Sequence, residues 1–152
     1  MNLGRISSMN TSEQSMFDLA LSIAKKAHKG QYDKAGVVYI KHPLFVASLV
    51  DTQEEKAVAL LHDVLEDSPY TVEELILAGL PETVVTAVQV LTKKKGQDYQ
   101  QYLELVKSNP IARCVKLADL KHNSDLSRLA TITEKDLERF EKYKKAIDYL
   151  RM

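Results

Sequence analysis

Three observations predict an all-α, single-domain bundle of about seven to nine helices. Apolar residues recur at spacings of three and four along most of the 152-residue chain. Several of these runs open on a Thr with Gln, Glu or Asp three residues later, the pairing of a helix capping box. Turn-bounded alternation of apolar and polar residues, which would favour strands, is scarce. The length suits one hydrophobic core, assigned to residues 11–152 behind a Ser-, Asn- and Gly-containing leader, residues 1–10, that lacks periodicity.

Taken in order, Thr11 and Gln14 cap a first helix carrying Met16, Ala20, Ile23, Ala24 and Ala27 on one face and ending near Gly30. From Gln31 to Tyr39 the pattern lapses around Gly36, which predicts a loop or short extended piece. Pro43 is suited to the first turn of a helix reaching about Val50, which puts His42 at its entrance. Thr52 and Glu55 cap the next helix, which is apolar over most of its circumference through Ala57, Val58, Leu60, Leu61, Val64 and Leu65 and is therefore expected at the centre. Thr71 and Glu74 cap a short helix that Gly79 ends. Pro81 opens another, where the Val-rich run Val84, Val85, Val88 and Leu91 would suggest a strand were it not for the caps and prolines around it. Beyond the loop Lys93–Gly96, Tyr99, Tyr102, Leu103 and Val106 mark a helix that stops before Pro110, and Val115 to Leu120 lie in the next. Thr133 and Asp136 start a charged C-terminal helix on which Leu137, Phe140, Tyr143, Ala146, Ile147 and Leu150 form an apolar stripe.

Composition excludes several functions. The 21 basic and 21 acidic residues cancel, so no global field favours nucleic acid. Cys114 is the one cysteine, which excludes an internal disulfide and a cysteine-rich zinc site and fits a reducing cytoplasm. No signal peptide and no stretch of about 20 apolar residues is present, so neither export nor a membrane span is expected.

Chemistry concentrates in Ala59-Leu60-Leu61-His62-Asp63-Val64-Leu65-Glu66-Asp67, where titratable groups interrupt an apolar helix and require compensation. His62 and Asp63 diverge around the helix axis, so they reach one ion only from its edge. Further ligands then come from His42 and from Asp119 in Leu117-Ala118-Asp119, the other polar residues in apolar surroundings. Two imidazoles and two carboxylates suit manganese, iron, zinc or magnesium and leave room for water and a phosphate oxygen. Glu66, one turn beyond His62, is expected with Asp67 to transfer a proton or orient the nucleophile. Taken singly, each of these residues has a structural explanation, and the combination carries the assignment. His28 is expected to order the site loop or meet the helix end, Cys114 to be core, and Lys93 to Lys95 to be a solvated loop.

An ordered set of motifs then resembles one family: Gly30-Gln31, Gly36, Tyr39-Ile40, His42-Pro43, Leu61-His62-Asp63-Val64, Glu66-Asp67, Thr71, Leu91-Thr92-Lys93, Lys116-Leu117-Ala118-Asp119 and His122-Asn123. They look like the HD-type hydrolase domain of the bacterial stringent-response enzymes and the single-domain small alarmone hydrolases. The resemblance implies an HD-type helical fold and a manganese-dependent enzyme that removes the 3′-pyrophosphate of guanosine tetra- or pentaphosphate. It also implies Glu66 and Asp67 as the catalytic acids and Asn123 as a nucleotide contact. A separate synthetase domain is not expected in 152 residues. The family's usual Arg-Lys-Ser, whose Arg packs on the purine, is here Asp33, Lys34 and Ala35, so Lys34 remains as the loop cation. Losing a planar cation for a carboxylate removes stacking and adds repulsion; Tyr32 or Tyr39 is available to stack the base, and Arg128 is a replacement cation. The alternatives are a phosphohydrolase for another nucleotide, such as an NADPH 2′-phosphatase, and a nucleotide-sensing module without turnover. The partner expected in every case is a small-molecule nucleotide.

Overall fold

The computed structural model describes residues 16–152; the leader and the Thr11–Gln14 cap fall outside the described residues. Helix α1 covers residues 16–27. It is followed by α2 (Lys41–Ser48), α3 (Gln53–Leu61), α4 (Val64–Asp67), α5 (Val72–Leu77), α6 (Glu82–Leu91), α7 (Tyr99–Ser108), α8 (Pro110–Asn123), a single 3₁₀ turn (Leu126–Arg128) and α9 (Glu134–Arg151). Among the described residues the one β feature is an isolated antiparallel bridge between Tyr32 and Val38. The all-α fold class expected from periodicity is therefore observed.

Local chemistry sets the ends of these helices. Complete capping boxes form at Thr52/Glu55, Thr71/Glu74 and Thr133/Asp136, each satisfying amide donors that the first turn leaves free. Asn109 caps α8, with Pro110 in its first turn. Gly79 closes the α5 turn at φ +103°, a region that a side chain disfavours. The second helix begins slightly earlier than expected, at Lys41, so His42 lies inside its first turn and Pro43 occupies another position where no amide partner is required.

Helix α3 is the hub. Ala57, Val58, Ala59, Leu60 and Leu61 are all fully buried, and α3 packs against α2, α6 and α8. Lys56 extends from α3 and donates to the carbonyls of Ala47 and Val50, closing the end of α2 against it. Truncating a buried leucine here, such as Leu61, would cost about 2–5 kcal/mol.

One expectation is corrected. The central helix does not continue through the His-Asp pair. It ends at Leu61, His62 caps it, and Asp63 adopts φ −107°, ψ 0° before the short α4 begins. The His62 ring replaces a helical partner by donating from Nδ1 to the Ala59 carbonyl at 2.5 Å. Glu66 and Asp67 consequently stand exposed instead of inside an apolar helix. The stripe on α9 divides: Ala146 and Leu150 enter the core, Leu137 is exposed, and Phe140 and Tyr143 line a cavity.

Candidate active site

The break after α3 brings side chains from different helices together. His42 from α2, His62 from the α3 end and Asp119 from α8 are buried, and one potential ligand atom from each lies within 4.8 Å of the others. Asp119 Oδ1 is 2.7 Å from His42 Nε2 and 3.3 Å from His62 Nε2. Asp63 Oδ2 stands 3.1 Å from His62 Nε2, at the edge of this group, and accepts the Tyr39 hydroxyl.

These contacts have a chemical consequence. With its Nδ1 proton donated to Ala59, a neutral His62 ring points a lone pair at two carboxylates. Its Nε2 is buried and makes no hydrogen bond. An electron pair facing anionic oxygens is stable only with a cation between them. Although burial opposes charge on the imidazole, Asp63 and Asp119 hold its pKa well above the ordinary histidine range. Burial likewise opposes ionisation of Asp119, yet Lys116 and His62 depress its pKa. A divalent ion meets the same demand as a proton and can engage several donors at once. The nitrogen and oxygen donor set without thiolate fits such an ion.

Neighbouring residues hold the cluster in place. Lys116 Nζ is 3.2 Å from the other Asp119 oxygen, Oδ2, three residues earlier on the same helix. Asn123 Nδ2 donates to Asp119 Oδ1 at 3.0 Å. The His122 ring stacks on His42 with planes 10° apart and an Nδ1-to-Nδ1 distance of 2.7 Å. Burial and the Arg128 guanidinium push the His122 pKa down to about 4. His28 is buried and donates to Gln31 Oε1 at 2.9 Å, while Gln31 Nε2 donates to the Asp67 carbonyl at 2.9 Å. His28 therefore orders the loop that follows α1.

Glu66 and Asp67 lie on exposed α4 and are not among the buried residues that converge. Partial burial and the neighbouring Asp63 raise both carboxyl pKa values, a displacement that favours proton exchange nearer neutral pH. Lys34, Tyr39 and Asn123 line a cavity of about 330 Å³ that also includes His42 at its inner end. Its outer wall comes from the 124–129 segment and from Asp136, Arg139, Phe140 and Tyr143 of α9. Sequence reading missed this wall, because aromatic residues at helical spacing suit a core as well as a cleft. Lys116 was visible in a motif, but its spacing from Asp119 was the only signal of its contact.

With this geometry in place, similarity to known proteins is informative. No protein-family model matches the chain. The guanosine-3′,5′-bis(diphosphate) 3′-pyrophosphohydrolase of Haemophilus influenzae is 38% identical over 116 residues, covering 66% of this chain and 17% of that protein. The enzyme of the same name called MESH1 from Danio rerio is 33% identical over 134 residues, covering 79% of this chain and 74% of that protein. The chain belongs to the guanosine-3′,5′-bis(diphosphate) 3′-pyrophosphohydrolase family. Its members differ greatly in length, since the chain spans about 17% of the long bacterial relatives and most of MESH1. A solved structure described as a metazoan ortholog of SpoT that hydrolyzes ppGpp superposes with a TM-score of 0.72 at 25% identity, covering 90% of this chain and 85% of that one. The HD-type hydrolase fold expected from the motifs is thereby shown. Among the described residues no helix is long and apolar enough to cross a membrane.

Proposed function

We propose that this chain is a metal-dependent nucleotide phosphohydrolase that removes the 3′-pyrophosphate from guanosine 3′,5′-bis(diphosphate). The observation that carries the proposal is the buried His62 Nε2, without a hydrogen bond and 3.1 and 3.3 Å from the carboxylates of Asp63 and Asp119, beside a His42 that lines a nucleotide-sized cavity. Kinship with MESH1 supports the choice of substrate.

In this reading His42, His62, Asp63 and Asp119 hold one divalent ion, with manganese the proposed metal. When bound, the ion supplies a Lewis acid that activates water near neutral pH and offsets phosphoryl charge. Asp119 is fixed by Lys116, leaving its Oδ1 toward both imidazoles. Tyr39 turns Asp63 toward the cluster through its hydroxyl. Glu66, with its raised pKa, accepts the proton of the attacking water, and Asp67 shares that role. Asn123 and Tyr39 place the nucleotide against the cluster, and Lys34, half-exposed at the rim, meets its outer phosphates. The setting proposed is cytoplasmic, with a small nucleotide and not nucleic acid as partner.

Replacing Glu66 tests the assignment. Glu66→Gln is expected to reduce turnover of guanosine tetraphosphate by about a hundredfold or more while manganese binding is unchanged. Full activity in this variant would contradict the proton-transfer role. Retained nucleotide binding without turnover even in the wild-type chain would favour the sensor alternative. Asp33, at the family's usual Arg position, keeps a second substrate in view: another nucleotide such as NADPH, losing its 2′-phosphate at the same cluster.

A further inference from the structure

The charges around the cavity are already matched. Lys34, Arg128 and Arg139 face Asp33, Asp125 and Asp136 in its lining. Arg128 donates from one terminal nitrogen to Asp33 Oδ2 at 3.0 Å, Arg139 to Asp136 at 3.3 Å, and Lys34 is 4.0 Å from Asp136. A cavity whose two guanidinium groups are each bonded to an acid is poorly suited to gripping phosphates in its interior, and leaves Lys34 at the rim, 4.0 Å from Asp136, for an outer phosphate. Together with Tyr39, Phe140 and Tyr143, it suits the flat, uncharged part of a nucleotide.

Asp33 and Arg128 are built into this wall. Asp33 Oδ1 accepts the amides of Ala35 and Val37, each at 2.9 Å, which shapes the hairpin through Gly36 at φ +81°. Its Oδ2 reaches across to Arg128, 95 positions later in the chain. Arg128 is also anchored at its other terminal nitrogen, which donates to the His122 carbonyl at 3.2 Å. Both acceptors draw on in-plane donors of the guanidinium, and neither occupies its flat face, the side suited to a heteroaromatic ring.

We propose that Arg128, oriented by Asp33, is the specificity-determining residue against whose guanidinium face the nucleotide base packs. The assignment rests on the reading of this site as a nucleotide phosphohydrolase. Arg128 touches the base; Asp33 is a positioning residue that acts through Arg128 and the hairpin. The carboxylate that sequence reading set against a polyanionic substrate is thus turned away from solvent and engaged by the cation that takes the base.

The test compares the full-length manganese-loaded chain with Arg128→Ala, Arg128→Lys and Asp33→Asn, after thermal melts establish folding. For guanosine tetraphosphate, Arg128→Ala is expected to raise KM about tenfold, with kcat changed by less than about threefold. Arg128→Lys should not restore KM, because an ammonium lacks the planar face. Asp33→Asn should raise KM in the same direction by a smaller factor. As inhibitors, GDP should weaken by a similar factor in Arg128→Ala and inorganic pyrophosphate should not. An unchanged KM in folded Arg128→Ala, full rescue by Lys, or equal weakening of GDP and pyrophosphate would overturn the proposal while leaving the hydrolase reading intact. If the wild-type chain ignores guanosine tetraphosphate and hydrolyses another nucleotide, the proposed substrate falls separately. The same KM comparison on that nucleotide then decides Arg128: a rise supports it and no change overturns it.

Discussion

At the residue scale, the proposed metal site rests on the buried His62 Nε2, which makes no hydrogen bond. His62 spends one ring nitrogen on Ala59 and turns the other toward Asp63 and Asp119. Replacing it with alanine removes both a proposed ligand and the group that demands a cation. His62→Ala is expected to lose manganese binding, and to lose the rise in Tm that manganese gives the wild-type chain, because an ion bound to the folded state stabilises it by linkage. Isothermal titration and thermal melts with and without manganese check both effects; a variant that keeps the ion would remove His62 from the site. His42, His62, Asp63 and Asp119 were legible in sequence because each is a polar residue set among apolar ones, where an unmatched charge is costly. Asp33 was not legible. Its partner is 95 positions away, so sequence reading could see its charge and not its pairing.

At the scale of elements, α8 arranges the chemistry by helical spacing. Lys116, Asp119 and Asn123 fall on one face, and Lys116 Nζ and Asn123 Nδ2 take different oxygens of Asp119. Removing the ammonium leaves a buried carboxylate short of a partner. Lys116→Met is therefore expected to destabilise the metal-free chain by about 1.5–3 kcal/mol and to weaken manganese binding through a less firmly held Asp119. Chemical denaturation in chelator measures the first effect; an unchanged midpoint would mean that His42, His62 and Asn123 support Asp119 without the ammonium. Capping boxes made the starts of α3, α5 and α9 readable, since their signals lie within four residues. The break between α3 and α4 was not readable. Leu61-His62-Asp63-Val64-Leu65 contains no Gly or Pro, and what ends the helix is the His62 side chain bonding to Ala59, reinforced by Tyr39 holding Asp63 from another segment.

At the scale of the whole molecule, a bundle centred on α3 brings His42, His62 and Asp119 together beside a charge-balanced, aromatic-walled cavity that His42 lines. This arrangement separates two tasks. In the proposed function, phosphoryl charge is met where His42, His62, Asp63 and Asp119 converge, and the rest of the nucleotide is received in the cavity between the 31–39 hairpin, the 124–129 segment and α9. The all-α architecture followed from periodicity and caps alone. The contribution of α9 did not, because a stripe that serves the core in its second half and the cavity in its first has the same spacing throughout. The most direct test of the central claim is product analysis with manganese, using guanosine tetraphosphate, NADPH and simple nucleoside phosphates and measuring pyrophosphate and orthophosphate separately. Pyrophosphate released from guanosine tetraphosphate, abolished by chelator and restored by manganese, is the expected result. Orthophosphate from another nucleotide, with guanosine tetraphosphate untouched, would contradict it.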